Sequence, residues 1–299
     1  MSLSASSALP QLPTGKTKFA GLFGWPVKNS LSPALHTRWF AEAGLNAMYL
    51  PFAVQQQQHF LDFAATLQRV ENFLGGNITI PFKRAVLELP NVVPSDCVRA
   101  CSAANTLYFH HKKNHWALEN TDVAGVLASL RFFNFAPDNC VFIVLGAGGA
   151  AAAALEACRM FSGTLDRCWI MARNPQKALQ QLSNFFPQEM PEGVSGVCLP
   201  TVSEFTLKSG ERLLSSKLVP IVVNTLPLGH AGEPNVHAQQ LLLDLKTKGL
   251  VGAYFDMVYA NTPALEFATD QGFVTLNGKL MLETQARASF ELWQTSMMP

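Results

Sequence analysis

Short apolar runs alternate with segments of helical spacing along most of the chain, which is typical of α/β proteins. In the first third these runs predict strands at residues 19–23, 48–54 and 77–80. A helix is predicted to begin at Ser32-Pro33 and to end before Gly44, because serine favours the N-cap, proline the first helical position and glycine the C-cap. Pro81 is predicted to begin another helix.

A hairpin and a second series of strands and helices follow. Residues 104–109 and 116–118 are predicted to pair around a polar turn. From Asn120 a helix leads to further candidate strands at residues 141–145, 168–171, 219–224 and 251–256, which are separated by helical segments. Residues 281–293 form a last predicted helix. Such alternation predicts a parallel, doubly wound sheet, and therefore two α/β domains.

Composition narrows the classes of function. A length of 299 residues favours two domains, and a net charge of +1 provides no long-range attraction to nucleic acid or to an anionic membrane. The six cysteines show neither a CxxC pair nor zinc-ligand spacing, so no metal is predicted. Residues 1–17 lack the pattern of a signal peptide, and glycines interrupt the apolar stretch at 141–158. We expect a soluble, cytoplasmic protein.

A glycine-rich turn follows the strand at residues 141–145. Gly146, Ala147, Gly148, Gly149, Ala150 and Ala151 fit the pattern G-x-G-x-x-A. Glycine allows the sharp turn and lets the backbone approach a pyrophosphate, and the next helix offers amides and a positive dipole end. The motif alone is weak, but its position between a β-branched strand and a helix predicts a dinucleotide site.

The residues after the next strand predict which dinucleotide is bound. An NAD site usually has a carboxylate at the carboxyl end of this strand, whereas Asp166 precedes the strand and lies at its other end. Arg173, Asn174 and Lys177 follow the strand instead. The arginine can clamp a 2′-phosphate, so NADP is predicted. The alternative is that Arg173 and Lys177 are ordinary solvated cations.

Eight motifs together resemble the shikimate dehydrogenase family. They are NSLSPALH (29–36), NITIPFK (77–83), ANTL (104–107), NTDVAG (120–125), the glycine turn (146–151), NTLPLG (224–229), DMVY (256–259) and GKLMLETQA (278–286). Each motif is modest, but their order and spacing make the match specific, and it covers nearly the whole chain after residue 17.

The resemblance implies roles for individual positions. Ser30 and Ser32 match a pair that holds the substrate carboxylate, although simple helix capping is the alternative. Further substrate-binding positions are Asn77, Thr79, Asn105, Tyr259 and Gln285. Further cofactor-binding positions are Asn224, Gly278 and Met281, the last near the nicotinamide.

Lys83 and Asp122 match the catalytic pair of the family. Reduction of a ketone needs a group that delivers a proton to the forming alkoxide, and a lysine ammonium can do so. Asp122 is expected to orient Lys83 and to bind a substrate hydroxyl. Considered alone, Lys83 would be a surface lysine and Asp122 a helix cap.

The resemblance also implies an organisation and a reaction. A substrate domain of residues 1–120 plus 278–299, completed by the returning C-terminal helix, is expected beside a Rossmann-like NADP domain of residues 121–277. The implied reaction is NADP-dependent reduction of 3-dehydroshikimate to shikimate in aromatic amino-acid biosynthesis. A small-molecule substrate, no nucleic acid, no membrane and a monomeric or homodimeric state are expected.

Three departures from the family pattern leave alternatives open. Leu226 replaces a threonine or serine, Leu280 replaces a glycine, and the segment after Tyr259 is about two residues short. They put cofactor affinity and substrate choice in question. The alternatives are a dehydrogenase that also uses quinate, an amino analogue or NAD, and a catalytically silent ligand sensor.

Overall fold

The chain folds into two compact units in a computed structural model that describes residues 12–186, 194–198, 218–229 and 232–297. The first unit comprises Met1–Arg99, Ala103–Thr121 and Ala286–Pro299, and the second comprises Ala100–Ser102 and Asp122–Gln285. The functional division predicted from the sequence, with bounds at residues 120 and 278, stays a prediction beside this geometric one.

The first unit is built on a mixed six-stranded sheet in the order β2-β1-β3-β5-β6-β4. Its strands are β1 (Lys18–Gly24), β2 (Ala47–Ala53), β3 (Phe73–Ile78), β4 (Val92–Pro94), β5 (Thr106–His110) and β6 (His115–Glu119). Its helices are α1 (Ser32–Glu42), α2 (Gln57–Leu67) and most of α3 (Asp96–Cys101). β1, β2 and β3 run parallel, whereas β5 pairs antiparallel with both β3 and β6. The predicted hairpin and the first two predicted strands are confirmed.

The strand β3 begins earlier than the sequence pattern predicts, because two glycines interrupt its apolar run. Glycine is depleted in strands, so the pair Gly75-Gly76 weakens the strand pattern of the segment that begins at Phe73. The structure requires glycine there: Gly75 has φ +124°, and a Cβ added to it would lie 2.0 Å from the Leu107 carbonyl oxygen. The same oxygen accepts a hydrogen bond of 3.0 Å from the Trp293 indole.

The helix predicted to begin at Pro81 is wrong. The structure has a turn followed by a four-residue 3₁₀ helix, Ala85–Glu88. The segment is bounded by Pro81 and Pro90, and the residue before a proline is driven to extended backbone, as Leu89 is at ψ 135°. The Lys83 carbonyl oxygen, which an α-helix would pair with the Leu87 amide, accepts instead from the Ala104 amide at 2.8 Å.

The first helix begins and ends close to the predicted positions, but its start is made differently. Ser32 is the first helical residue and no side chain caps the helix from Leu31. Instead, the Ser30 hydroxyl accepts a hydrogen bond of 3.2 Å from the Ser32 amide. Gly44 at φ +67° follows the helix, as predicted.

The second unit is a doubly wound α/β structure. Its sheet is parallel throughout and has the order β12-β11-β10-β7-β8-β9. The strands are β7 (Cys140–Leu145), β8 (Cys168–Ala172), β9 (Val194–Cys198), β10 (Val219–Asn224), β11 (Ala253–Asp256) and β12 (Val274–Leu276). The helices are α4 (Asp122–Phe132), α5 (Gly149–Ser162), α6 (Pro175–Ser183), α7 (Val236–Thr247), α8 (Pro263–Asp270) and the start of α9 (Lys279–Thr295). This order is that of the Rossmann fold, so the predicted fold class is confirmed.

Residues 141–158, the apolar stretch noted in the sequence, belong to a buried strand, the glycine turn and a mostly buried helix. Within the described ranges, no helix has both the length and the apolarity needed to cross a membrane. The cysteines whose side chains are described are all free, and four of these five are buried. Burial raises the pKa of Cys140 to about 11, which disfavours the reactive thiolate.

A buried histidine lies in the aromatic core of the first unit. His36 on α1 is fully buried, and its ring stacks on Tyr49 with centroids 4.6 Å apart and lies against Trp293 at 5.1 Å. Neither ring nitrogen has a hydrogen-bond partner among the described residues. Burial, and secondly the positive charge of Arg287, lower the pKa of His36 from 6.5 to about 3.

This histidine should make the protein sensitive to acid. Below pH 6.5 the unfolded chain protonates His36 and the folded chain does not, so stability falls as the pH falls towards 3. We expect His36→Phe to gain stability relative to the native chain by about 1.4 kcal/mol per pH unit between about pH 6 and 4. Urea unfolding followed by tryptophan fluorescence measures this difference. Parallel pH profiles for the two chains would contradict it.

Candidate active site

Loops with polar residues meet at one edge of the first sheet. Phe23 in β1 pairs with Ile78 in β3, Asn77 pairs with Thr106 in β5, and Thr106 pairs with Glu119 in β6. The carboxyl ends of β1, β3 and β6 therefore lie at the same edge as the start of β5. The predicted residues of this edge are Ser30, Ser32, Asn77, Thr79, Lys83 and Asn105. In open α/β sheets ligands bind at such an edge.

Asn77 is the centre of a buried polar network at this edge. Its side-chain nitrogen lies 2.9 Å from the Ser289 hydroxyl, 3.1 Å from the Thr106 hydroxyl and 3.2 Å from the Asn105 carbonyl oxygen. Its side-chain oxygen accepts a hydrogen bond of 2.8 Å from the Tyr49 hydroxyl. The residue is 6% exposed, so these contacts decide the orientation of its carboxamide.

Asn105, the second predicted amide, is held by the same network. Its side-chain oxygen accepts from the Thr121 amide at 2.8 Å and from the Thr106 hydroxyl at 2.9 Å. The Thr121 hydroxyl also lies 3.0 Å from that of Ser289. Thr121 immediately precedes Asp122, so the network fixes the backbone that leads into the predicted catalytic carboxylate.

Four members of the network were missed by the sequence analysis. They are Tyr49, Thr106, Thr121 and Ser289. Tyr49, Thr106 and Ser289 lie within or beside segments rich in apolar residues. A polar residue in such a segment is a signal for a buried hydrogen bond. Ser289 is one example, because it interrupts the apolar face of α9 between Ala286 and Phe290.

The serine pair and the asparagine are linked through α1. The Ser30–Ser32 contact closes the start of this helix, and one turn later His36 stacks on Tyr49, the hydrogen-bond partner of Asn77. Ser32 is 8% exposed. The helix amides favour an anion at this end, as a carboxylate site requires.

Thr79 and Lys83 are placed by main-chain hydrogen bonds. The Thr79 amide donates to the Phe23 carbonyl oxygen at 2.9 Å. The Ala104 amide donates to the Lys83 carbonyl oxygen at 2.8 Å. Lys83 therefore lies beside the segment that leads into Asn105. The residue is half-buried.

In the second unit the glycine turn joins β7 to α5. Gly146 has φ +114°, and a Cβ added to it would lie 2.4 Å from the Thr225 hydroxyl oxygen. Gly148 is the N-cap of α5, and a Cβ there would meet nothing within 4 Å. The first glycine is thus required by the turn, whereas the second leaves open space at the end of a helix.

The residues predicted to select the cofactor follow β8. Arg173 and Lys177 are exposed at its carboxyl end. Asn174 is the N-cap of α6, and its side-chain oxygen accepts from the Lys177 amide at 3.2 Å. Asp166 lies before β8, at the opposite end, as the sequence predicts.

Asn224 is one of the buried residues among the predicted cofactor positions. It is fully buried, donates to an Asp256 oxygen at 3.0 Å, and accepts from the Leu226 amide and the Asn235 side chain, both at 3.2 Å. Asp256 also accepts from the Thr262 hydroxyl at 2.7 Å. Burial raises the pKa of Asp256, and these hydrogen bonds oppose the rise. A direct cofactor contact by Asn224 stays a prediction.

Two close backbone approaches organise the motif residues near the start of α9. A Cβ added to Gly125 would lie 2.6 Å from the Met281 carbonyl oxygen, and one added to Gly278 would lie 2.2 Å from that of Met257. The Gly278 amide donates to the Val258 carbonyl oxygen at 3.0 Å, which brings the residue before Tyr259 to the start of α9.

Asp122 and Gln285 lie on two helices, α4 and α9. Asp122 is the first residue of α4 and is 5% exposed. Gln285 is half-buried on α9, and its side chain donates to the Leu282 carbonyl oxygen at 3.1 Å. Tyr259 is likewise half-buried. The roles of these three residues stay predictions.

Two departures from the family pattern have structural explanations. Leu226 is partly buried against the core of the second unit, around Leu241 and Tyr254. It also lies near the glycine turn, 3.4 Å from a Cβ built on Gly146. Leu280 is the second residue of α9, where leucine is a good helix former.

The chain has the features of two-domain, dinucleotide-binding α/β proteins. One unit is a Rossmann fold with a glycine turn, and the other is an α/β unit with a polar sheet edge. The chain belongs to the shikimate dehydrogenase family, because relatives of that name are 31% and 35% identical to it along more than nine-tenths of its length. Residues 22–107 match the shikimate dehydrogenase substrate binding domain. This match covers β3, Asn77 and Lys83, which lie in the first unit.

Curated relatives and solved structures of this family are similar to the chain along nearly its whole length. The chain is 31% identical to a shikimate dehydrogenase (NADP(+)) of Thermosynechococcus vestitus, over 94% of this chain and 91% of the relative. It is 35% identical to one from Afipia carboxidovorans, with 93% and 91% covered. The crystal structure of shikimate dehydrogenase from Aquifex aeolicus is similar, with a TM-score of 0.73, 25% identity and 96% of each chain covered.

The two glycines of the turn should respond differently to alanine. We expect Gly146→Ala to lower the free energy of unfolding by about 1–3 kcal/mol, because φ is positive and the added Cβ collides with Thr225. Gly148→Ala is the matched control and should change stability by less than about 1 kcal/mol, since its surroundings are open. Urea unfolding of both variants measures the difference. Equal losses would show that the turn geometry is not the cause.

Proposed function

We infer that the protein is an NADP-dependent shikimate dehydrogenase, which interconverts 3-dehydroshikimate and shikimate in aromatic amino-acid biosynthesis. The observation that carries this inference is the agreement with relatives of that name over nine-tenths of their length. Lys83 and Asp122, at the positions of the family's catalytic pair, support an active enzyme rather than a silent ligand sensor.

The second unit fits a dinucleotide. The open space at Gly148 and the free end of α5 suit a pyrophosphate, which the segment from Gly146 to Ala150 would hold. Arg173 and Lys177, exposed beyond β8, would hold the 2′-phosphate. When bound, NADP supplies or accepts the hydride.

In this proposal Lys83 is the acid and base. As hydride leaves the carbinol carbon of shikimate, the Lys83 amine takes the hydroxyl proton and the carbon–oxygen bond becomes a carbonyl. In the reverse direction the ammonium returns the proton to the carbonyl oxygen. Asp122 is assigned the partner role and a bond to a substrate hydroxyl.

The substrate's polar groups match the first sheet edge. Ser30 and Ser32, at the start of α1, are proposed to hold the carboxylate. Asn77, Thr79 and Asn105 are proposed to bind the ring hydroxyls at this edge. Tyr259 and Gln285, which belong to the second unit, keep the substrate-binding roles that the family resemblance implies. The cytoplasmic location and the monomeric or homodimeric state expected from the sequence are parts of the same proposal.

Initial rates test the function. Oxidation of shikimate and of quinate is measured with NADP and with NAD, through the absorbance of the reduced nicotinamide. We expect fast turnover with shikimate and NADP. Comparable turnover with quinate or NAD would instead assign the broader-specificity activity, and no turnover with any pair would overturn the proposed function.

In the same assay Arg173→Ala should raise the KM for NADP by about 10- to 100-fold, since a charge-assisted contact to phosphate contributes about 1.5–3 kcal/mol. The KM for NAD should change little, because NAD lacks the 2′-phosphate. Arg131→Ala, which removes an exposed cation at the end of α4, is the control. Equal effects on both coenzymes would contradict the role of Arg173.

Replacement of Lys83 tests the acid and base assignment. We expect Lys83→Ala to lower kcat by about 10²- to 10⁴-fold, with a smaller change in the KM for shikimate, because proton transfer is lost while the binding groups remain. Arg84→Ala, a neighbouring exposed cation, is the matched control. Near-normal kcat in Lys83→Ala would refute the assignment.

A further inference from the structure

The hydrogen bonds of Asn77 determine what it can offer to a ligand. The Asn105 carbonyl oxygen, 3.2 Å away, can only accept a hydrogen bond, so the group that faces it is the amide nitrogen. The hydroxyls of Ser289 and Thr106 are the nitrogen's other acceptors. Both amide hydrogens are therefore used within the protein.

The oxygen of the same carboxamide is only partly used. It accepts one hydrogen bond, from the Tyr49 hydroxyl at 2.8 Å, and a carbonyl oxygen has two lone pairs. Asn77 can therefore act towards a ligand as an acceptor and not as a donor. Its partner would be a hydroxyl group, as on the ring of a polyhydroxylated substrate.

Ser289 ties the C-terminal helix to this carboxamide. It is fully buried, and its hydroxyl lies 2.9 Å from the Asn77 nitrogen, 2.9 Å from the Thr106 hydroxyl and 3.0 Å from the Thr121 hydroxyl. One side chain thus links α9 to the residues after β6 and to β3 and β5. Tyr49 is held on the opposite side by its stacking on His36.

We propose that Ser289 and Tyr49 are positioning residues, which hold the Asn77 carboxamide with its oxygen directed to a hydroxyl of the substrate. This inference rests on the proposed function, because the hydroxyl belongs to shikimate. Ser289 is fully buried and Tyr49 is 3% exposed, so neither side chain is placed to be a substrate ligand in this proposal. Each acts through Asn77, from opposite sides of the carboxamide.

Steady-state kinetics of Ser289→Ala and Tyr49→Phe test the proposal. Each variant removes one hydrogen bond to Asn77, and the KM for shikimate should rise about three- to tenfold, as the loss of a neutral hydrogen bond predicts. The KM for NADP should stay unchanged. Ser296→Ala is the matched control, since it removes a buried serine hydroxyl that bonds to the Phe109 carbonyl oxygen in the same unit.

A double-mutant cycle separates positioning from a merely structural role. If Ser289 acts through Asn77, the KM for shikimate of Asn77→Ala should not rise further when Ser289→Ala is added. Additive effects would overturn the proposal, as would an unchanged KM in both single variants. Melting temperatures identify a variant that fails to fold, and Tyr49→Phe then tests the same carboxamide from its other side.

The failure of this inference differs from that of the proposed function. A native chain that turns over shikimate, with single variants of unchanged KM, refutes the positioning role alone. A native chain without activity towards shikimate refutes the proposed function and, with it, the hydroxyl invoked for Asn77.

Discussion

A buried carboxamide must find partners for its hydrogens and its oxygen, and this requirement at Asn77 organises the sheet edge of the first unit. An unpaired buried polar group costs about 1–3 kcal/mol, so the surrounding chain supplies several hydroxyls and a carbonyl oxygen within 3.2 Å. The same contacts connect β2, the end of β3 and the start of β5 to α9. Satisfying one side chain therefore also fixes the loops that carry the other predicted substrate residues.

Asp256 has a comparable position in the second unit. Its carboxylate accepts hydrogen bonds from Asn224, Thr262 and the Val258 amide, and the last two lie in the segment after β11. Asn224 ends β10 and Asp256 ends the neighbouring β11, so these bonds join the ends of the two strands. Asn224 also pairs with Leu145, the last residue of β7. The glycine turn thus lies beside a cluster of polar side chains that are hydrogen-bonded to one another.

The sequence predicted the regular part of the structure well, because its signals are local. β-branched runs, Ser-Pro at a helix start and a glycine turn each act within a few residues, and the Rossmann unit follows from them. The errors occurred where distant contacts decide the geometry. Gly75 interrupts a strand pattern because Leu107 approaches its backbone. The Lys83 carbonyl oxygen, which an α-helix would pair with the Leu87 amide, accepts instead from the distant Ala104 amide at 2.8 Å.

The candidate site was predictable only as far as family motifs reached. Lys83, Asn77 and Ser30 are motif positions, whereas Ser289 and Tyr49 belong to no quoted motif and are recognised only through their distances to Asn77. A hydroxyl in an apolar helix face signals a buried hydrogen bond but not its partner, because that partner lies 212 positions away in the chain. Three-dimensional pairing of this kind cannot be deduced from periodicity.

The departure at Leu226 is smaller than the sequence suggests. Loss of a hydroxyl there would remove a hydrogen bond worth about 1 kcal/mol, but the neighbouring Thr225 donates its own hydroxyl to the Leu145 carbonyl oxygen at 2.7 Å. The loop after β10 is therefore still joined to the end of β7. Leu226 adds apolar contact, because it is partly buried against the core of the second unit. The substitution thus exchanges a polar contact for packing and leaves the glycine turn supported, which is compatible with a working dinucleotide site.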